Sequence, residues 1–204
     1  MTLDAVTVRK LGRVEYLPTV QAMRAFTLGR IESTPDELWL LEHPPVYTLG
    51  QGADPAFGPA SAGAIPLVLT DRGGEITYHG PGQVVLYTLV DLARRGIKVK
   101  QFVALLEQTV IDLVGSRAQR RPGAPGVYVE GAKLAALGIR VSRGRAYHGL
   151  ALNVDMDLAP FSAIAPCGYP GLAVTQTKDL GIEESKEVLG ERLAQMLLSR
   201  LEHA

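Results

Sequence analysis

Cysteine is the scarcest chemically useful residue in this 204-residue sequence, which contains only Cys167. A single cysteine cannot form an internal disulfide or a structural zinc site of the multi-thiolate kind. We therefore expect a reducing, cytoplasmic compartment. We also expect no metal and no cofactor. Net charge is lacking as well, because 21 basic residues balance 21 acidic ones. That balance argues against nucleic-acid binding, which normally needs a basic excess.

Long uninterrupted apolar runs are also missing. Residues 158–177 carry no charge, but Pro160, Pro166 and Pro170 would interrupt any membrane-spanning helix. The N-terminal residues lack the apolar core of a signal peptide, so we expect neither export nor a role at a membrane. The 47% hydrophobic and 21% charged residues are typical of a globular protein. With no repeat or long linker, we expect one domain, residues 1–204. We also expect a monomer.

Several common catalytic signatures do not occur. The sequence has no GxxxxGKS or GxxxxGKT, no GxSxG, no HExxH and no CxxC. Phosphate-loop hydrolysis, serine hydrolysis of the elbow type and zinc chemistry therefore lose support.

The apolar pattern predicts both helices and strands. Helices are expected over residues 20–31, 101–115 and 184–201, the last interrupted by Gly190. Strands are expected over 37–43, 67–70 and 84–90. Three more runs, 127–129, 134–141 and 147–154, are joined by short connectors, which indicates antiparallel hairpins. We predict an α/β (α+β) domain with helices packed against a mostly antiparallel sheet.

Residues 71–83, DRGGEITYHGPGQ, contain four glycines within ten residues. Such a segment lets the backbone approach a ligand and adopt positive φ angles. Arg72, Tyr78 and His79 lie in the same segment. Two interpretations are open: a tight pair of turns between strands, or a loop whose N–H groups hold a carbonyl or a phosphate.

Two further residues stand out by their setting. Lys133 follows a turn glycine and begins an almost wholly apolar run, so it is either a strand-end residue reaching water or a partly buried group facing a site. Cys167 lies among prolines and glycines, which exclude regular structure and favour a surface loop. A lone cysteine is commonly a buried hydrophobe, whereas a loop cysteine near a cation is a place for a reactive thiolate.

The histidines and one basic segment give weaker signals. His79 and His148 either orient a substrate or satisfy local hydrogen bonds, and His79 is the better candidate. His43, before two prolines, is interpreted as structural. The basic residues within 117–121 form a solvated loop or a surface that docks an acidic partner.

Together these segments resemble the lipoyl(octanoyl) transferase family, the octanoyl–acyl carrier protein:protein N-octanoyltransferases. The matching pieces are HPPVYTLG at 43–50, RGGEITYHGPGQ at 72–83, GAKLAALGIRV at 131–141, YHGLALNV at 147–154 and PCG at 166–168. Each piece alone is a weak signal, but the ordered set across residues 40–180 is specific. Only the two termini match poorly.

The resemblance implies a fold shared with lipoate and biotin protein ligases, in which helices flank a large mixed sheet. It implies that octanoate moves from octanoyl-acyl carrier protein to a lysine of lipoyl domains, in the first step of lipoate assembly. Those domains belong to 2-oxoacid dehydrogenase E2 subunits and to the glycine cleavage H protein.

The resemblance also implies roles for particular residues. Cys167 is the nucleophile that forms an acyl thioester, and Lys133 lowers its pKa and acts as acid and base. N–H groups near the Gly73–Gly74 turn are expected to stabilise the thioester oxyanion. The residues expected to bind the acyl substrate are Arg72, Gly73, Gly74, Glu75, Ile76, Thr77, Tyr78, His79, Ala136, Leu137, Gly138, Gly149, Leu150 and Ala151.

Two other functions remain open from the sequence. One is an ATP-dependent lipoate or biotin ligase, which activates a free acid as an adenylate and needs no cysteine nucleophile. The other is a non-catalytic protein that binds acyl chains or lipoyl domains on the same scaffold. The presence of both Cys167 and Lys133 favours the transferase.

Overall fold

A large twisted sheet and a small one organise the computed structural model, which describes residues 6–54, 58–59, 63–164 and 171–203. Within those residues the strands are, in chain order, β1 (Thr7–Arg13), β2 (Glu37–Glu42), β3 (Val46–Leu49), β4 (Leu67–Leu69), β5 (Ile76–His79), β6 (Gln83–Asp91), β7 (Ala118–Arg120), β8 (Gly126–Val129), β9 (Ala132–Ser142) and β10 (Arg145–Asn153). The helices are α1 (Tyr16–Gly29), α2 (Leu92–Arg95), α3 (Val99–Val114) and α4 (Lys186–Glu202).

The large sheet has the strand order β1-β2-β6-β10-β9-β8-β7. β1 pairs with β2 in parallel, and the other neighbouring strands of this sheet are antiparallel. The small sheet has the order β4-β3-β5, with β3 parallel to β4 and antiparallel to β5. The predicted α/β class with a mixed, largely antiparallel sheet is therefore confirmed.

Helices cover both faces of the large sheet. On one face, α3 and α4 pack against β6 and β10 through residues such as Phe102, Leu193 and Leu86. On the other face, α1 brings Tyr16 and Met23 against β2 and β6. Every residue of β6 is buried, which explains why this strand is almost continuously apolar rather than alternating.

The predicted hairpins of the C-terminal half are confirmed by the turns that join their strands. β8 and β9 are connected through Glu130 at φ 51° and Gly131 at φ 85°. β9 and β10 are connected through Arg143 at φ 50° and Gly144 at φ 79°. Positive φ at both central residues is the geometry of two-residue hairpin turns, because it matches the twist of the strands.

The sequence pattern missed four strands, namely β1, β3, β5 and β7. β5 lies inside the glycine-rich segment that was open to interpretation as turns, because its four residues pair with β3 over too short a length to show alternation. α1 begins at Tyr16 rather than after Pro18, since proline is tolerated in the first helical turn. α4 passes through Gly190, where a Cβ would lie 2.9 Å from Leu40 Cδ1.

A cluster of buried charged residues links the end of α1, the start of β2 and helix α2. Asp36, which is fully buried, accepts hydrogen bonds from Arg30, from Arg94 at 2.8 Å and from Arg95 at 2.6 Å. Burial alone would raise the pKa of Asp36, but the bond from the Asp91 N–H and those from Arg30 and Arg95 outweigh it and keep the pKa low. None of the helices in the described ranges combines the length and apolar character that crossing a bilayer requires.

Replacing Asp36 with asparagine keeps its shape but leaves the buried guanidinium groups without their counter-charge. We expect this variant to lose about 3–5 kcal/mol of unfolding free energy, measured by urea denaturation. Asp155→Asn, which removes an exposed ion pair with Lys178, is the matched control and should leave the midpoint unchanged. An equal effect of the two substitutions would contradict a structural role for the buried cluster.

Candidate active site

A cavity of about 520 Å³ lies between the large sheet and the segment that precedes β5. It is lined by thirteen of the fourteen residues that the resemblance assigned to the acyl substrate, and by Lys133. Tyr78 is the exception, because its ring packs against Tyr47 and Phe161 instead, at centroid distances of 5.5 Å each. The substrate-binding roles of these residues remain predictions. The further lining residues are Tyr16, Val85, Tyr87, Val103, Gly123, Ala124, Pro125, Ile139 and His148.

The floor of the cavity is a row of small residues on neighbouring strands. Gly138 of β9 pairs with Gly149 of β10, and Ala136 pairs with Ala151. Side chains alternate between the two faces of a strand, so both pairs lie on the face that carries α1. Because neither pair has a side chain larger than a methyl group, an open groove crosses the sheet at this level.

The segment before β5, residues 72–75, forms the roof of the cavity. It approaches the floor so closely that only glycine fits at position 138. The Gly73 N–H donates to the Ile139 carbonyl at 3.0 Å, which ties the roof segment to β9. A Cβ at Gly138 would lie 2.7 Å from the Gly73 oxygen. The Gly73 N–H is therefore already occupied, so it is not a ready donor for the oxyanion proposed near the Gly73–Gly74 turn.

Arg72 holds the roof segment in place. Its guanidinium donates to Thr48 Oγ1 at 2.8 Å and to the Thr48 carbonyl at 2.6 Å, and also to the Gly73 carbonyl at 3.1 Å. These bonds join the segment before β5 to β3 in the small sheet. Arg72 therefore contributes to the shape of the cavity through the backbone that it supports.

Lys133 lies at the β8–β9 end of the cavity. The residue is buried, and its Nζ donates to the Pro125 carbonyl at 3.4 Å and sits 5.7 Å from the centre of the Tyr128 ring. Its N–H donates to the Ala173 carbonyl at 2.8 Å, and its carbonyl accepts from the Thr175 N–H at 3.0 Å. Lys133 is therefore a buried strand residue facing the cavity, and its catalytic role remains a prediction.

Cys167 lies outside the described residues, as do its immediate neighbours 165–170. The described residues before this gap stop at Ile164, which is buried against the small sheet. They continue from residue 171, shortly before Val174, which pairs with Lys133. Among the residues described, no three His, Cys, Asp or Glu side chains are grouped so that they could hold a metal ion.

The opposite end of the cavity, on β6, is a wall of aromatic and imidazole rings. Tyr16, His79, Tyr87 and His148 line the cavity there, and each is at most 5% exposed. Each ring makes one hydrogen bond to the protein: Tyr16 OH to Thr70 Oγ1 at 3.0 Å, His79 Nδ1 to Gln83 Oε1 at 2.7 Å, Tyr87 OH to His43 Nε2 at 2.7 Å, and His148 Nε2 to Asp71 Oδ1 at 2.9 Å.

His148 reaches this wall because its backbone departs from strand geometry. Its φ is +62°, in the left-handed region that non-glycine residues rarely adopt. The turn places the rings of Tyr147 and His148 side by side, with centroids 5.1 Å apart, although consecutive strand residues normally face opposite ways. Both donate to Asp71, and His148 Nδ1 is buried without a hydrogen-bond partner among the described residues.

The three imidazoles of this region are held neutral. Burial, together with the adjacent His43, lowers the pKa of His79 to about 3 against the hydrogen bond to Gln83. Burial lowers the pKa of His43 to about 4. Burial also lowers the pKa of His148 despite its bond to Asp71. Burial raises the pKa of Tyr87 well above its usual range. The wall therefore carries no charge near neutral pH.

Sequence reasoning found some of these residues and missed others. It named His79 and His148 as candidates and interpreted His43 as structural, which agrees with its bonds to the Val14 carbonyl and Tyr87. It missed Tyr16 and Tyr87. Alternation along β6 would have placed Tyr87 on the face opposite Leu86, but nothing local to α1 indicates that Tyr16 reaches the same cavity.

Similarity to known proteins agrees with this fold. The model of the lipoyl protein ligase A/B catalytic domain matches residues 16–195. A bipartite lipoate protein ligase from Thermoplasma acidophilum has a similar structure, with a TM-score of 0.70 at 15% identity, over 98% of this chain and 84% of that one. A biotin protein ligase from Aquifex aeolicus has a TM-score of 0.59 at 10% identity, over 96% of this chain and 70% of that one. The lipoate and biotin ligase-like fold is therefore confirmed.

Curated relatives narrow the family. An octanoyltransferase from Aromatoleum aromaticum is 61% identical over 192 residues, which are 93% of this chain and 83% of the relative. An octanoyltransferase from Dechloromonas aromatica is 58% identical over 198 residues, 96% of each chain. This chain belongs to the octanoyltransferases of the lipoyl protein ligase A/B catalytic domain family. Octanoyltransferases are acyltransferases, so the enzyme class predicted from the sequence is confirmed.

The neutral imidazoles make stability depend on pH in a defined direction. A ring with a lowered pKa in the folded state takes up its proton on unfolding, so stability is complete above about pH 6.5 and is lost as the pH falls toward the folded pKa. We expect unfolding free energy to decrease by about 1 kcal/mol per pH unit for each such ring. Urea denaturation at a series of pH values between about 7 and 5 measures this slope. His43→Gln should reduce the slope, and equal stability across the range would contradict the assignment.

Proposed function

We propose that this protein transfers an octanoyl group from octanoyl-acyl carrier protein to a lysine of lipoyl domains through a thioester on Cys167. The observation that carries the proposal is the position of Lys133, buried at one end of a groove floored by glycine and alanine. The octanoyltransferase relatives support the acyl group and the reaction class. The proposed acceptors, the lipoyl domains of E2 subunits and the glycine cleavage H protein, are those that the family resemblance implies.

Chain connectivity supports a meeting of Cys167 with Lys133. Ala173 and Thr175 bind the backbone of Lys133 on both sides, through the Lys133 N–H at 2.8 Å and its carbonyl at 3.0 Å. Cys167 precedes Ala173 by six residues in the sequence. A segment of that length can readily fold back toward the Nζ end of the side chain, since it spans up to about 20 Å when extended.

The cavity suits an acyl chain in size and polarity. Burying about seven chain carbons at ~0.8 kcal/mol each offers around 5 kcal/mol. The floor offers methyl groups and backbone, and each ring of the far wall makes a hydrogen bond to the protein. An octanoyl chain can therefore enter without leaving a polar group of the floor unpaired.

The proposed reaction has two half-reactions. In the first, the Cys167 thiolate attacks the carrier thioester carbonyl, the C–S bond to the carrier breaks, and the departing thiolate takes a proton from Lys133. In the second, Lys133 accepts a proton from the acceptor lysine as its amine attacks the Cys167 thioester. The C–S bond to Cys167 then breaks, which leaves the thiolate and an octanoyl amide.

Rate arithmetic indicates which contribution of Lys133 matters more. With a usual pKa near 8.5, about a tenth of a thiol is thiolate near pH 7.5. Lowering that pKa to about 7 raises the thiolate fraction roughly eightfold but lowers nucleophilicity about fivefold. The net gain is only about twofold, whereas positioned proton transfer is typically worth about 10²–10⁴-fold. Lys133 therefore contributes mainly as a proton carrier.

The proposal also bears on where the protein works. A thioester intermediate needs Cys167 as a free thiol, and free thiols persist in reducing compartments. We therefore assign the enzyme to the cytoplasm, where no disulfide partner would compete for the single cysteine.

Incubation with octanoyl-acyl carrier protein, without ATP, should add one octanoyl mass to the wild-type protein. The adduct should be absent in Cys167→Ser and Cys167→Ala, as measured by intact-protein mass spectrometry. If wild type forms no adduct and modifies a lipoyl domain only with free octanoate and ATP, the enzyme is a ligase. Octanoate binding with no transfer under either condition would instead indicate an acyl-binding protein.

Lys133→Arg should keep the positive charge but lose most turnover, by about 10²-fold or more, because arginine does not release its proton. Octanoyl transfer to a lipoyl domain under steady-state conditions measures the loss. Lys178→Arg, at an exposed lysine paired with Asp155, is the matched control and should turn over normally. Turnover of Lys133→Arg near the wild-type rate would exclude the acid–base role.

A further inference from the structure

We propose that the ring wall formed by Tyr16, His79, Tyr87 and His148 is the stop that limits the length of the acyl chain. The inference rests on the proposed function, because it takes the Lys133 end of the groove as the place of the thioester. It assigns a specificity role to four side chains that lie at the opposite end of the same cavity.

The groove has an open end and a closed end. At the Lys133 end, Gly123 and Pro125 are exposed, and the floor residues Ala136 and Gly138 are partly exposed. At the β6 end, the four wall side chains and the floor residues Gly149 and Ala151 are buried. An acyl chain bound with its carbonyl near Lys133 therefore enters methyl-end first and runs toward β6.

The floor is about as long as an eight-carbon chain. It crosses from Gly138 of β9 over Gly149 of β10 to Tyr87 of β6, and Lys133 lies five residues before Gly138 on β9. Two strand spacings measure roughly 10 Å. An extended octanoyl group measures about 9 Å from carbonyl carbon to methyl, given C–C bonds of about 1.5 Å. Two further methylene groups would add about 2.5 Å.

Buried hydrogen bonds hold the rings of the wall in position. His79 is fixed by Gln83, whose amide in turn donates to Asn153 Oδ1 at 2.9 Å. His148 is fixed by Asp71, which also accepts from Arg24 at 3.0 Å. Moving either ring would break a buried hydrogen bond, which costs more than the interaction contributes when it is formed.

The wall also suits the end of an alkyl chain. The rings of Tyr16 and His79 stack at 5.9 Å, and that of Tyr87 lies edge-on to His148 at 5.9 Å. The hydroxyl groups of Tyr16 and Tyr87 and the Nδ1 of His79 are hydrogen-bonded to protein partners, and burial keeps the imidazoles uncharged. The chain end therefore meets carbon surface rather than an ion.

His148→Gly is the sharpest test, because glycine adopts φ +62° without strain and the substitution removes one ring from the wall. Tyr16→Leu replaces a second ring of the wall, carried by α1, with a smaller side chain. Each variant is given an equimolar mixture of eight-carbon and ten-carbon acyl thioesters of the carrier protein. The ratio of the two adducts on Cys167 is then measured at short times by intact-protein mass spectrometry.

Both variants should raise the ten-carbon to eight-carbon ratio about tenfold, because two more methylene groups gain a place to be buried. Tyr47→Leu, the matched truncation of a buried tyrosine outside the cavity, should leave the ratio at the wild-type value. Because the readout is a ratio, a loss of folded protein cannot produce the expected shift. If His148→Gly cannot be purified folded, Tyr16→Leu decides.

A ratio within about twofold of wild type in a folded wall variant would overturn the inference, since gain of two buried methylene groups predicts a larger change. An equal shift in Tyr47→Leu would overturn it too, because the effect would then not belong to the wall. A wild-type protein that forms no octanoyl adduct would instead refute the proposed function, which keeps the two failures distinct.

Discussion

The register between β9 and β10 is the constraint on which the site depends. It sets Gly138 opposite Gly149 and Ala136 opposite Ala151, so four small residues share one face of two adjacent strands. A slip of one residue would move every side chain of β9 to the other face and fill the groove. The two-residue turn at Arg143 and Gly144 sets this register, because it places Ser142 opposite Arg145 and its positive φ angles match the twist of the strands.

The close roof follows from the same register. Gly73 can approach β9 and donate to Ile139 only because Gly138 has no side chain beneath it. Arg72 then anchors that roof to β3, which links the small sheet to the large one. The cavity is therefore a gap between two backbones held at a fixed separation, and its width does not depend on the rotamers of flexible side chains.

At the closed end of the groove, His148 has two features that are unfavourable in free energy. His148 takes a left-handed backbone and keeps a buried Nδ1 without a partner in the described part of the chain, both unfavourable by themselves. Asp71 compensates by fixing the other nitrogen, and Tyr147 and Arg24 share the same carboxylate. Burial would raise the pKa of Asp71, but these three donors keep it well below its ordinary value, so the anchor stays ionised.

Features that depend on interactions between nearby residues could be predicted from the sequence, whereas features that depend on contacts between distant residues could not. Hairpins β8–β9–β10 and helices α3 and α4 were predictable because their periodicity and turn residues are local. β5 was hidden inside a glycine-rich segment, and the wall joins Tyr16 of α1 with His148 of β10, which are 132 positions apart in the numbering. Such a meeting depends on sheet order, which local patterns do not contain. The family resemblance, rather than periodicity, brought the groove residues together before the structure did.

A strand is a better place than a loop for Lys133 in the proton-carrying role proposed for it. A lysine side chain loses up to about 2 kcal/mol of rotamer entropy when it is fixed. Here that cost is met during folding, because β8 and residues 173–175 hold the backbone while the Tyr128 ring and the Pro125 carbonyl contact the side chain. Gly126, at φ 146°, makes the room, since a Cβ there would lie 2.9 Å from Lys133 Cε. A positioned ammonium group needs little further ordering at the moment of reaction, which is where positioning lowers a barrier.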